Sequence, residues 1–263
     1  MIKNKNSFME INTWFSWYKK ILKDFGFSKK DDEQSARLLS ELLEDKTVLN
    51  PENLHIKKNV LVFGAGPSIK KNIDEIKKID IDSFTIISAD GATTALLEED
   101  IIPDIIVTDL DGKIEDIIKA NQLGSVLVVH AHGNNEEKIK KYAPIIKNLI
   151  GSTQSNPLKN VYNFGGFTDG DRCVFLAIEL NAKLIILAGM DFGDVVTNYS
   201  RPELNKEKAL ADEIKKLKLE YAKKLIEWAA ANEKVKIVNI SYGEVLKGVS
   251  NTSLDKLDLN IKS

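Results

Sequence analysis

The chain has 263 residues, of which 43% are hydrophobic and 29% charged, and a formal net charge of −2. That balance suits a globular protein with a real core. It excludes a broadly basic nucleic-acid surface and a polybasic membrane patch, so neither nucleic acid nor membrane is an expected partner. The single cysteine, Cys173, excludes an intramolecular disulfide and a cysteine-based zinc site.

The first stretch, MIKNKNSFMEINTW, lacks the apolar core of a signal peptide, and no apolar run is long enough to span a bilayer, so a cytoplasmic protein is expected. WFSWYKKILKDFGF has helical spacing with Gly26 as its stop, and a second helix starts behind Ser28. Residues 1–55 therefore read as an N-terminal helical segment, which also suggests a homodimer surface.

From Asn59 short apolar strands alternate with amphipathic helices: NVLVF then IKKNIDEIKKI, SFTIIS then TTALLEED, PDIIV then KIEDIIKANQL. SVLVV precedes a predicted helix over 136–150, and NVYNF precedes DRCVFLAIELN. KLIILA leads through a polar stretch to a long helix, roughly 206–231, and the strand VKIVNI. Continuous apolar strands separated by helices predict an α/β fold, a Rossmann-like doubly wound and mostly parallel sheet over 56–245. Residues 246–263 read as a polar C-terminal tail.

Six consecutive predicted strands end in Gly, Asp, His or Asn, and the carboxyl ends of such strands form the ligand crevice. In FGAGPS, Gly64 and Gly66 allow a sharp turn, and Pro67 or Ser68 opens a helix whose free N–H groups suit an anion; a plain strand-to-helix turn would read the same. The third glycine of a dinucleotide fingerprint and the lysine of a P-loop are both missing. Asp90 in SADGA suits either a ribose contact or a helix N-cap. Asp109 and Asp111 in TDLDG share one face of an extended backbone and suit a hard cation such as Mg²⁺; the alternative is a solvated turn. HAHGNN reads as a polar loop contacting phosphate rather than a metal site. In GGFTDGDRC, Asp169 and Asp171 are ordinary acids for a helix start, Arg172 has the fork of donors for phosphate, and Cys173 reads as a small buried residue. Asp191 in GMDFG suits a turn. So many carboxylates in one crevice repel unless compensated, and Mg²⁺ with a polyphosphate supplies that compensation.

The ordered set GAGPS, ADGA, PDIIVTDLDG, HAHGNN, FGGFTDGDR and GMDFG resembles the archaeal 6-hydroxymethyl-7,8-dihydropterin pyrophosphokinases, which are similar in turn to the thiamin pyrophosphokinases. The resemblance implies an ATP-dependent, Mg²⁺-dependent transfer of diphosphate to the pterin hydroxymethyl group, giving AMP, on a route to methanopterin or folate. It implies Asp90, Asp109, Asp111 and Asp171 as metal ligands, with Asp109 and Asp111 catalytic. By inference rather than direct carry-over, Gly64, Gly66, Pro67, Ser68, His130, His132, Gly133, Asn134 and Arg172 contact ATP. Phe167, Thr168, Asp169 and Asp191 are then expected at the substrate. The β-rich domain that follows the core in the thiamin enzymes is replaced here by a helix, a strand and a tail, which favours a pterin over thiamin. The alternatives are a thiamin pyrophosphokinase-like enzyme, a sialyltransferase-like enzyme using a nucleotide sugar, whose G-N-G-P-S turn is similar to GAGPS, and a non-catalytic nucleotide sensor.

Overall fold

The computed structural model describes residues 9–257; residues 1–8 of the expected helical segment and 258–263 of the expected tail lie outside the described residues. Two helices come first. In α1 (Ile11–Phe25), Trp14, Tyr18 and Ile21 fall on one buried face, and Gly26, at φ 66°, ends the helix by donating to the Leu22 carbonyl. Ser28 then caps α2 (Lys29–Leu42) by accepting from the Asp31 N–H.

From Asn59 strands and helices alternate. The order is β1 (Asn59–Phe63), α3 (Ile69–Ile76), β2 (Thr85–Ala89), α4 (Ala92–Leu97), β3 (Ile105–Thr108), α5 (Ile114–Gln122), β4 (Val126–Ala131) and α6 (Glu136–Tyr142). There follow β5 (Leu149–Thr153), β6 (Val161–Tyr162), α7 (Asp169–Glu179), β7 (Leu184–Ala188), β8 (Val195–Thr197), β9 (Lys208–Leu210), α8 (Glu213–Asn232), β10 (Lys236–Asn239) and β11 (Ser250–Asn251). Nine of the described strands form one sheet in the order β11-β10-β7-β1-β2-β3-β4-β5-β6, and every pairing is parallel. The chain winds outward from β1 through β6 and returns by α7 to β7 on the other side of β1. The switch point therefore lies between β1 and β7, where doubly wound sheets open their ligand crevice.

Two predicted helices are shorter than their apolar spacing suggests. The helix predicted over 136–150 stops at Tyr142, shortly before Pro144, which has no N–H to continue the hydrogen-bond ladder; Ala143 still has helical backbone, and Leu149–Thr153 becomes β5. The helix predicted from 206 starts only at the Asp212 cap, whose carboxylate accepts from the Lys215 N–H at 2.7 Å. Residues 208–210 instead pair antiparallel with 195–197 as a hairpin.

The N-terminal helical segment is clamped across the sheet. Trp14, Tyr18 and Ile21 share a core with α7, α8 and the strand residues Val60, Val62, Ile105 and Val128. Ala36, Leu39 and Leu43 share another with α5, α6, Ile106, Leu127 and Val129. Alternate strand residues point to opposite faces, so α1 and α2 cover opposite faces of the sheet. Burying each of these large side chains contributes roughly 1.5–3 kcal/mol before entropy. The expected polar tail is likewise anchored over 246–257: β11 pairs with β10, and Leu246, Val249 and Leu254 are buried.

Candidate active site

Three carboxylates meet at the carboxyl ends of β2 and β3 and the start of α7. Asp90, Asp109 and Asp169 each offer an oxygen within 4.8 Å of the others. Asp90 ends β2 with φ 21°; its N–H donates to the Val107 carbonyl at 2.8 Å, and its carboxylate accepts from the Thr108 hydroxyl. A side chain on Gly112 would lie 2.6 Å from an Asp90 oxygen, so glycine here lets the TDLDG loop close under the acids without displacing that carboxylate. Asp109 Oδ2 is 3.2 Å from His132 Nε2, while its Oδ1 is buried without a partner. Asp169 Oδ1 is 3.4 Å from Arg172 Nη1.

The electrostatics follow from this crowding. Burial, then the charges of Asp109 and Asp169, push the Asp90 carboxyl well above its ordinary range. Burial and the Asp109 charge push Asp169 up to about 8. Burial also works to raise Asp109, but the hydrogen bond and charge of His132 and the charge of Arg172 outweigh it and hold this acid down. Without a cation, the cluster keeps one firmly ionised carboxylate and two that favour the protonated form.

Several expected site residues are engaged elsewhere. Asp171, expected as a metal ligand, is fully buried and caps its own helix. It accepts from the N–H groups of Phe167 (2.6 Å) and Thr168 (2.8 Å) and from the Thr168 hydroxyl (2.5 Å), which leaves no face toward the cluster. Asp169, expected at the substrate, stands in the cluster in its place. Asp111 does not share a face with Asp109. Leu110 is left-handed at φ 67° and buried in the core, so the chain turns between the two acids. Asp109 is 17% exposed against 64% for Asp111, which pairs with Lys138 at the rim.

The GAGPS helix start is also occupied. Asp191 Oδ2 accepts from the Ser68 N–H (3.1 Å) and hydroxyl (2.9 Å), so the protein's own carboxylate takes the Ser68 donors expected for a phosphate. Asp191 is therefore a cap for α3, and Ser68 is its donor. Arg172 is buried between Asp169 and Gln154 Oε1, 3.2 Å from Nη2. His130 is buried too, with Nδ1 3.1 Å from Ser152 Oγ. Its Nε2 and the Arg172 Nε have no partner and border one recess of about 10 Å³, the size of a single water. His132 does reach the cluster. Asn134 is exposed on the loop beyond it, and the Gly133 N–H donates to Asp32 Oδ1 at 2.8 Å. Thr168 is half-buried in the α7 cap. Phe167 is packed against Phe25 and Tyr221 in the core. Cys173 is buried, as its helix position suggests.

Beside the acids a cleft of about 140 Å³ opens between the β1 and β7 ends. Gly64, Gly66 and Pro67 line one wall, Asp90 and Asp169 the floor, and Met190, Phe192, Val196 and Leu219 an apolar side. Lys215 of α8 also lines it.

Four residues that support the site were not among those expected, and three of them have no signature in their local sequence. Asp32 accepts from Tyr18 Oη (2.5 Å), Gln154 Nε2 (2.8 Å) and the Gly133 N–H, and so joins both N-terminal helices to the loops behind His132 and Arg172. Lys215 and Lys218 look like ordinary members of a Lys/Glu-rich helix. Asn135 is different: it donates to the Asp109 (3.1 Å) and His130 (2.7 Å) carbonyls, and its place before a helix with two leading glutamates is a legible signal.

The parallel doubly wound sheet, with convergent buried carboxylates and a ligand cleft at its switch point, defines a Rossmann-like enzyme with an acidic crevice. The family model described as 6-hydroxymethylpterin diphosphokinase MptE-like matches residues 34–197. The chain is 54% identical over 230 residues to the 6-hydroxymethyl-7,8-dihydropterin pyrophosphokinase of Methanothermobacter thermautotrophicus, covering 87% of this chain and 99% of that one. It is 51% identical over 230 residues to the protein of the same name from Methanocaldococcus jannaschii (84% and 95% covered), and 43% identical over 239 residues to that from Pyrococcus furiosus (89% and 100% covered). The chain belongs to this MptE-like 6-hydroxymethylpterin diphosphokinase family. Among solved structures, a MAf glycosyltransferase from Magnetospirillum magneticum AMB-1 is similar with a TM-score of 0.59 at 16% identity. The match covers 89% of this chain but only 40% of that one, and it speaks to the fold alone. No helix among the described residues is long and apolar enough to cross a membrane.

Proposed function

We propose that this chain is a cytoplasmic, Mg²⁺-dependent pyrophosphokinase. It transfers the terminal diphosphoryl unit of ATP to the hydroxymethyl group of 6-hydroxymethyl-7,8-dihydropterin, releasing AMP, on a route to methanopterin or folate. The observation that carries the reading is the convergence of Asp90, Asp109 and Asp169 in a chain 43–54% identical to proteins named for acting on that pterin.

The donor set fits a hard divalent cation. It offers three carboxylate oxygens within 4.8 Å of one another, and Asp109 Oδ1 is buried without a partner. Asp90, Asp109 and Asp169 would hold Mg²⁺, which when bound neutralises phosphate oxygens as charge moves during transfer. His132 keeps Asp109 ionised and oriented. Arg172, fixed by Gln154, balances Asp169 from behind. The pterin hydroxymethyl oxygen attacks the β-phosphorus, and the bond from that phosphorus to the α–β bridging oxygen breaks. Asp111, at the crevice rim, is the proposed acceptor of the hydroxyl proton.

Mass-spectrometric product analysis tests the reading, with ATP, Mg²⁺ and either 6-hydroxymethyl-7,8-dihydropterin or thiamin. AMP and pterin diphosphate are expected. ADP as the nucleotide product, or turnover of thiamin alone, would overturn it. Asp90→Asn, Asp109→Asn and Asp169→Asn should each lower kcat at least about 100-fold. Full Mg²⁺-dependent AMP release by the Asp169 variant would remove that residue from the metal set.

A further inference from the structure

A triphosphate brought to three carboxylates needs positive charge from the protein as well as from a metal. The usual sources are absent or engaged. The chain has no P-loop lysine, and the Ser68 donors at the α3 start are taken by Asp191. Arg172 is held by Asp169 and Gln154 below the crevice, and Lys138 is paired with Asp111 at the rim. Arg201 is paired with Asp212 at 2.5 Å, and the Lys218 ammonium lies 5.9 Å from the centre of the Phe27 ring.

Lys215 differs from all of these. Among the described residues it is the one cation lining the cleft, with Asp90 and Asp169 in the same lining, and its ammonium group makes no ion pair or hydrogen bond there, only longer-range charge contacts. Its backbone N–H is fixed by the Asp212 cap, so the first turn of α8 aims the side chain. Burial, then the neighbouring Lys218, hold the ammonium below the usual lysine range, and the nearby charges of Asp169 and Asp109 oppose that only in part, so an anion placed between them would complete its compensation. An unpaired lysine facing acids across an open cleft is in place for an anion between them.

We propose that Lys215 is the phosphate-binding cation of the cleft, contacting the β- and γ-phosphates of the donor nucleotide where a P-loop lysine would act in other folds. This rests on the ATP-dependent reading above. It places the decisive charge on α8, beyond the segment 34–197 that the family model covers.

The test is equilibrium binding of α,β-methylene-ATP, in which the reacting bridge is replaced, with AMP and Mn²⁺ as separate probes. Lys215→Met should weaken α,β-methylene-ATP about 10- to 100-fold, the loss of one charge-assisted contact, and leave AMP within about twofold. It should leave Mn²⁺ binding to the nucleotide-free protein equal or tighter, since a cation facing the carboxylates has gone. Lys215→Arg should recover most of the analogue affinity. A merely structural lysine would weaken all three probes together; that result, or unchanged analogue binding in Lys215→Met, overturns the proposal. If the wild type binds the analogue yet converts no pterin, the functional reading fails while the lysine assignment stands. A wild type that binds no nucleotide overturns both.

Discussion

The raised Asp169 carboxyl ties stability to pH in the metal-free protein. Its value moves from 3.8 in ordinary surroundings to about 8 in the folded chain. The unfolded chain therefore ionises first. The stability contributed by the protonated Asp169 is complete below about pH 4, declines as pH rises, and is fully lost above about pH 8. Each unit within that window is worth about 1.4 kcal/mol, so between pH 5 and 7.5 the loss is about 3 kcal/mol from this acid alone. That is an upper bound, because the side chain is 19% exposed and crevice water screens part of the repulsion. Asp90 shifts in the same direction, partly because of Asp169. Asp169→Asn removes the first contribution and weakens the second. In urea unfolding with EDTA, the variant's advantage over wild type should widen by up to about 3 kcal/mol from pH 5 to 7.5, and saturating Mg²⁺ should flatten the wild-type slope. A difference that stays constant across that range would refute the account of the cluster.

His132→Ala removes the partner that holds Asp109 down, so the carboxyl should rise and Mn²⁺ affinity should fall more at pH 6 than at pH 8; calorimetric titration at both values checks this. Asp32→Ala strips the buried acceptor shared by Tyr18, Gln154 and Gly133. It should cost about 3 kcal/mol in denaturant unfolding, with Asp32→Asn costing less. Gly91→Ala would set a Cβ 1.8 Å from the Tyr199 carbonyl, a backbone clash that must displace the loop between β8 and β9. Faster proteolysis within 198–207 and a loss of about 2 kcal/mol or more are expected.

Much of the molecule was legible in its residues. Continuous apolar strands alternating with amphipathic helices specify a parallel sheet buried on both faces, and acids at successive strand ends mark its crevice. The capping of α7 was legible too, since Thr168 and Asp171 have the spacing of a capping box; on that ground Asp171 belonged to the helix and Asp169 was free for the cluster. Pro144 likewise marked the end of α6.

The rest depended on torsions and on distant partners. Asp109 and Asp111 share a face only if the backbone between them is extended, and the apolar pull on Leu110 into the core turns it left-handed and separates them. The α3 N-terminus attracts an anion on local grounds; that the anion is Asp191, 123 residues away, is decided by the adjacency of β1 and β7. Asp32 and Lys215 look like ordinary surface residues until α2 and α8 are laid beside the crevice. Sequence alone determined the layer architecture and the acidic strand ends, because periodicity and residue type act locally. Only the tertiary structure decided which carboxylates converge and which cation faces them, because that depends on where elements far apart in the chain come together.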